Sequence, residues 1–198
     1  TPTNIILSSA KIFNAINSQK NVYQTFIFCA FGEQIMQNGG ISLFRNFDDM
    51  LGVRVLSAAA DGKIIPIGEL GDGVLSKRTM GDGYAVFPYK GLFSPKETIM
   101  YSPADGVLTE ILPQGGAVIR TGDGISISVL FGDGGKICAE TGELIPAGGA
   151  LCILPRDSRL INGAAAVLIN EAESITELHI RSGYRRHGSA AAFYRVSE

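Results

Sequence analysis

Few side chains in this sequence are equipped for chemistry. Its 198 residues include no tryptophan and only two histidines, His179 and His187. Two isolated imidazoles cannot furnish the clustered ligands of a zinc centre, so no metal is expected. Cysteine is sparse as well: Cys29, Cys138 and Cys152 form an odd set without Cys-x-x-Cys spacing. That argues against a disulfide framework and fits reduced, core or near-core thiols in a cytosolic protein. Charge is thin and nearly balanced, with 18% charged residues and a net charge of −2. Apart from Arg181, Arg185 and Arg186 no basic stripe appears, so nucleic acid is not an expected partner. Long apolar runs are missing too. The run around Phe26–Phe31 has no basic region ahead of it and is far too short to cross a bilayer. No transmembrane segment is expected, and the expected location is cytoplasmic.

What the chain does have is glycine and short β-type runs. It is 45% hydrophobic with 25 glycines, which suits one domain, or one domain with an appended segment. Residues 1–56 read as an N-terminal mixed α/β extension. There Ile5, Ile6, Ile12, Phe13 and Ile16 partly follow helical spacing, and Val22–Met36 fits either a helix or a buried strand. From Val53 the pattern changes. Asp-Gly occurs at Asp61, Asp72, Asp82, Asp105, Asp123 and Asp133, and this pair tolerates the positive φ that tight hairpins need. A mainly β body of hairpins is therefore expected over 57–198. The sequence also echoes itself. Ala60-Asp61-Gly62-Lys63-Ile64 returns as Ala104-Asp105-Gly106-Val107-Leu108, Ile67 and Val74 return as Ile111 and Val118, and Gly81–Gly83 as Gly122–Gly124. A duplicated hairpin unit closing into a β-sandwich or flattened barrel accounts for the echo.

The best-patterned stretch is Ser102–Gly132, SPADGVLTEILPQGGAVIRTGDGISISVLFG. Two apolar strand runs, Ala117–Ile119 and Ile125–Phe131, flank a Gly-Asp-Gly turn. The stretch resembles the glucose-type IIA domain of the bacterial sugar phosphotransferase system. In that family an SP-x-DG strand leads to a strand bearing one histidine, then a turn, then a strand ending His-Phe-Gly. Met80-Gly81-Asp82-Gly83-Tyr84-Ala85-Val86 is similar to the family's M-G-D-G-x-A-I motif. Glu140–Leu154 resembles its G-x-x-V-x-x-G-x-x-L hairpin, and Ala164–Asn170 its T-P-V-V-I-x-N strand. The colinear match runs over roughly residues 57–196 and implies a glucose permease IIA-like fold, a duplicated hybrid motif.

The family passes a phosphoryl group through one histidine while a second supports it. Here those positions read Gly115 or Gly116, depending on a one-residue slip, and Leu130. Imidazole is a neutral nucleophile and a willing leaving group near pH 7, and a second donor must steady the phosphoryl oxygens. Glycine has no side chain and leucine no polar atom, so no catalytic residue is assigned. The segment that follows is shortened to Gly132–Lys136, and the family's supporting threonine has no counterpart. Arg120, Thr121, Asp123, Ser126 and Ser128 lie nearby in sequence, but Asp123 sits in a turn where a structural role suffices. His179 and His187 read as surface or hydrogen-bonded histidines rather than displaced carriers. Lys63 lacks the Met-Lys-Met setting of a lipoyl lysine, and Cys29 reads as core rather than nucleophile.

In the family an apolar ring around the histidines docks partner proteins. The resemblance implies a binding face of Val74, Leu75, Val118, Leu130 and Phe131, with burial under the extension favoured over an open docking patch. The expectation is a non-catalytic IIA-like protein acting through protein binding or regulation linked to sugar transport. Phosphotransferase or transporter components are its candidate partners, and no cofactor is implied. Two rivals stand beside it: an active phosphocarrier with a substitute acceptor, and a β-rich assembly protein or enzyme subunit sharing only the fold.

Overall fold

The computed structural model describes residues 52–89, 97–155, 158 and 160–197. The expected extension lies outside the described residues as far as position 51, and Cys29 with it. From Val53 onward the chain is one compact unit. Its strands are β1 (Val53–Ser57), β2 (Gly62–Pro66), β3 (Asp82–Pro88), β4 (Glu97–Tyr101) and β5 (Gly106–Leu112). Then come β6 (Gly116–Arg120), β7 (Ser126–Leu130), β8 (Lys136–Ile137), β9 (Leu144–Ile145) and β10 (Ala150–Pro155). The last are β11 (Ala165–Ile169), β12 (Ile175–Ile180), β13 (Gly183–Arg185) and β14 (Ala190–Val196). β1 belongs to this body, so the body starts ahead of the boundary placed after residue 56.

The strands make an eight-stranded sheet, ordered β13-β2-β3-β11-β7-β6-β5-β9, and two three-stranded sheets, β1-β14-β12 and β4-β10-β8. The body is thus mainly β, with antiparallel sheets packed around one main core, as expected. Alternation along the strands sets that core. Ile127 and Val129 of β7 and Ala165, Val167 and Ile169 of β11 point into it, with Tyr84, Met100 and Leu154 from other strands. The intervening residues, Leu130 of β7 and Ala166 and Leu168 of β11, point the other way, into a second apolar cluster. β11 is therefore buried along its whole length.

The echo in the sequence corresponds to a repeat of backbone geometry. Asp61 accepts a hydrogen bond from the His187 N–H at 2.7 Å, and Asp105 accepts one from the Ala147 N–H at 2.8 Å. Gly188 N–H donates to the Ala58 carbonyl, and Gly148 N–H to that of Ser102. Ala58 and Ser102 in turn donate to Ser189 and Gly149. The two Asp-Gly openers thus bracket two equivalent loops, and each half of the fold is completed by strands far along the chain. The echo stops there. Ile67 is fully buried while Ile111 is exposed. Gly83 lies inside β3, whereas Gly122–Gly124 forms a turn. Of the six Asp-Gly pairs, Asp123-Gly124 alone lies in a tight turn joining two paired strands; Asp61, Asp105 and Asp72 instead hold loop backbones.

The second cluster is covered by the chain between β2 and β3. Two 3-10 turns, Ile67–Glu69 and Leu75–Lys77, place Ile67, Leu70 and Leu75 against Ala85, Leu130, Ala166 and Leu168. Asp72 caps the second turn, its two carboxylate oxygens accepting from the Leu75 and Ser76 N–H groups at 2.8 Å each. Burial alone would raise the Asp72 carboxyl, but these donors outweigh it and hold it below its ordinary 3.8.

Two outcomes follow. At Gly83 a Cβ would stand 2.0 Å from the Val167 carbonyl oxygen, whereas at Gly122 nothing lies within 4 Å. In thermal and urea unfolding, Gly83→Ala should lose more than about 3 kcal/mol by driving β3 from β11. Gly122→Ala should be neutral or gain up to about 1 kcal/mol. The Asp72 contribution is present above the unfolded value of 3.8 and is lost as pH falls through the lower folded value. Melting curves from pH 5 down to about 2.5 should therefore show a shallower acid decline for Asp72→Asn, from a lower starting stability.

Candidate functional site

The turn after β6 sends the chain straight back into β7, and the register pairs Gly116 with Leu130, Val118 with Ser128 and Arg120 with Ser126. These residues face outward, on the side away from the main core. Of the two glycines that compete for the strand position opposite Leu130, one is closed to a side chain and the other is tight. Gly115 has φ +86°, and a Cβ there would lie 1.8 Å from the Gly132 carbonyl oxygen. Its own carbonyl accepts from the Phe131 and Gly132 N–H groups, tying two loops together. Gly116 has an ordinary φ, and a Cβ there would meet Leu130 Cδ2 and the Val129 carbonyl oxygen at 3.0 Å each and Leu112 Cδ1 at 3.1 Å. A side chain is thus sterically closed out at 115, whereas at 116 its neighbours would have to give by a few tenths of an ångström.

Beside Gly116 a cleft of about 260 Å³ opens between Pro113–Gly116 and the Asp133–Gly135 loop. Ile111, Leu112, Phe131 and Ile137 supply its apolar wall, and Asp133 its one charge. Nothing in this lining is a nucleophile of the histidine, cysteine or serine kind.

The five residues expected to form an apolar ring do not share one surface. Phe131 follows Leu130 by one position and so turns into the main core. Leu75 and Leu130 are sealed in the second cluster, with 3% and 5% of their surface exposed. Val118 is half-buried, and Val74 is exposed at 57%. Burial of this face was expected from the N-terminal extension; among the described residues it is achieved by the Ile67–Lys77 segment of the body itself. Sequence reading missed Ile67 and Leu70 in this role because a 3-10 cover has no periodicity to recognise.

The polar neighbours are engaged elsewhere. Asp123 binds Arg54 Nε at 3.1 Å through Oδ2 and the Thr121 hydroxyl through Oδ1. Ser126 donates its N–H to Glu171, and burial, which would raise that carboxyl, is outweighed by this bond, leaving Glu171 below its usual range. Ser128 is buried on the outward face between Val118 and Leu168. Arg120 is exposed at the far end of β6. Of the two histidines, His179 lies exposed on β12. His187 is tied through Nδ1 to Asp61 at 2.8 Å and stacked on Tyr101 at 4.1 Å between ring centroids. Lys63 is an exposed strand lysine on β2. Cys138 is exposed, and Cys152 is buried, which pushes its thiol up to about 12. Among the described residues no group of three His, Cys, Asp or Glu could hold a metal ion, and no helix is long and apolar enough to cross a membrane.

Residues 54–138 match the family model of the phosphoenolpyruvate-dependent sugar phosphotransferase system, EIIA 1. No curated protein matches the chain. Among solved structures, the glucose permease IIA from Mycoplasma capricolum superposes with a TM-score of 0.58 at 21% identity. That match covers 71% of this chain and 95% of the Mycoplasma chain. The matched stretch is similar to the EIIA 1 family of the sugar phosphotransferase system, and the β body shares the fold of the Mycoplasma glucose permease IIA.

Proposed function

We propose that this domain acts by contact within sugar transport and does not relay phosphate. The observation that supports the reading is the pairing of Gly116 with Leu130. Phosphoryl transfer needs a nucleophile at one of two facing positions and a charge-steadying donor at the other. Here one position has no side chain, and the other holds a leucine packed under Ile67, Leu70 and Leu75. The remaining capacity of the face is to bind: the cleft beside Gly116 offers an apolar wall with one carboxylate, suited to a protein surface. Phosphotransferase or transporter components in the cytoplasm are the proposed partners. Co-purification from the native cell tests this: recovery of such components supports it, and their absence favours a scaffold sharing only the fold.

Incubation with phosphoenolpyruvate and the general phosphotransferase proteins, followed by intact-mass measurement, should show no added phosphate. A stable gain of one phosphate on the wild-type chain overturns the reading. Placing histidine at both facing positions, Gly116→His with Leu130→His, should restore acceptance of one phosphate. The second change also removes the Leu130 methyl, one of the three close contacts of a side chain at 116; the Val129 carbonyl oxygen and Leu112 must still give slightly. Gly115→His with Leu130→His should gain none and should unfold at a lower temperature, because its Cβ has no space.

A further inference from the structure

We propose that the β13 edge is a second interaction surface, fitted to an acidic, extended segment of a partner protein. β13 is the outermost strand of the eight-stranded sheet and pairs with β2 alone among the described residues. Its outer side therefore offers main-chain donors and acceptors to an added strand. Tyr184 stands opposite Lys63 in the β13–β2 register. Tyr184 is 70% exposed, and Lys63 is exposed beside the buried Ile64. Arg185 and Arg186 follow at once, so three cations lie on or next to this edge of a chain whose net charge is −2.

The local carboxylate does not neutralise them. Oδ1 of Asp61 already accepts from the backbone N–H of His187 at 2.7 Å and lies 2.8 Å from its ring Nδ1. Lys63 forms no ion pair with any described residue; Arg186 makes no direct pair but, against burial, is near enough to help hold the Asp61 carboxyl low, and Arg185 spends Nη1 on the Tyr184 carbonyl at 3.0 Å. With three cations against one already engaged carboxylate, such an edge attracts an anionic partner and speeds its encounter. The exposed tyrosine supplies the kind of amphipathic anchor that protein interfaces favour.

The loop that carries the arginines is pre-ordered. The His187 ring stacks on Tyr101 at 4.1 Å with planes 11° apart, while Nδ1 is held by Asp61. The equivalent loop in the other half of the fold has Ala147 at this place and keeps the same backbone bond to its aspartate. The imidazole is therefore surplus to the fold, and what it adds is a fixed loop beside Arg186, which lowers the entropy lost on docking. A polypeptide matches the hydrogen-bonding edge of β13, which neither a phosphate backbone nor a lipid headgroup layer does.

Titration of the full ¹⁵N-labelled chain with acetyl-Glu-Val-Glu-Val-Glu-amide tests the assignment. Amide shifts should concentrate at Gly183–Arg186 and Lys63, weaken with added salt, and be absent with the lysine analogue of the peptide. Lys63→Glu with Arg186→Glu should weaken binding at least about tenfold at an unchanged melting temperature, since both side chains are exposed. Equal response to the acidic and basic peptides, or no response at these amides, overturns the proposal. So does binding of a decathymidine oligonucleotide or phosphatidylglycerol vesicles where the acidic peptide fails. The outcome is independent of phosphate acceptance at the β6–β7 face, so the two readings fail separately.

Discussion

In an antiparallel ladder a slip of one residue turns every side chain to the opposite face. β7 cannot slip, because both of its faces are committed. Ile127 and Val129 fill the main core, and Leu130 fills the second cluster. β11 locks against it with Val167 opposite Val129 and Ala166 opposite Leu130. That double commitment fixes β6 in turn, and with it the facing pair Gly116 and Leu130. The chemistry available at the site follows from this register more than from any single residue.

Leucine at 130 also decides how the face is packed. A polar ring at that position would resist burial under an apolar cover. Leucine instead joins Ile67, Leu70, Leu75 and Leu168, and the 3-10 segment capped by Asp72 closes over it. The absence of an imidazole at 130 and the presence of this apolar cluster are thus the same substitution seen from two sides. The open part of the face shifts to the cleft between the Pro113–Gly116 and Asp133–Gly135 loops.

The duplicated halves show which features the fold needs and which are additions. Both halves keep the aspartate, the positive-φ glycine two positions after the loop's Arg or Pro, and the reciprocal bonds between loop and strand start. Only one half adds His187, its aromatic neighbour Tyr101 and the two arginines. A feature present in one copy and dispensable in the other is not explained by folding alone.

The sequence by itself determined the mainly β body, the β6–β7 hairpin and the absence of imidazole from the facing positions. Alternation, Gly-Asp-Gly and residue identity are local properties, and they survive without knowledge of distant contacts. The Asp-Gly pairs are less legible: two of the six, Asp61 and Asp105, bind loops that arrive from far along the chain, at residues 187 and 147, so their role has no local mark. Only the tertiary structure separated Gly115 from Gly116, because the distinction is a carbonyl oxygen 1.8 Å from a hypothetical Cβ. Only it turned Phe131 inward, buried Leu75 and Leu130, and gathered Lys63 and Tyr184 on one edge. Packing partners are chosen in space by the sheet order, and a linear pattern carries which face a residue takes but not what waits there.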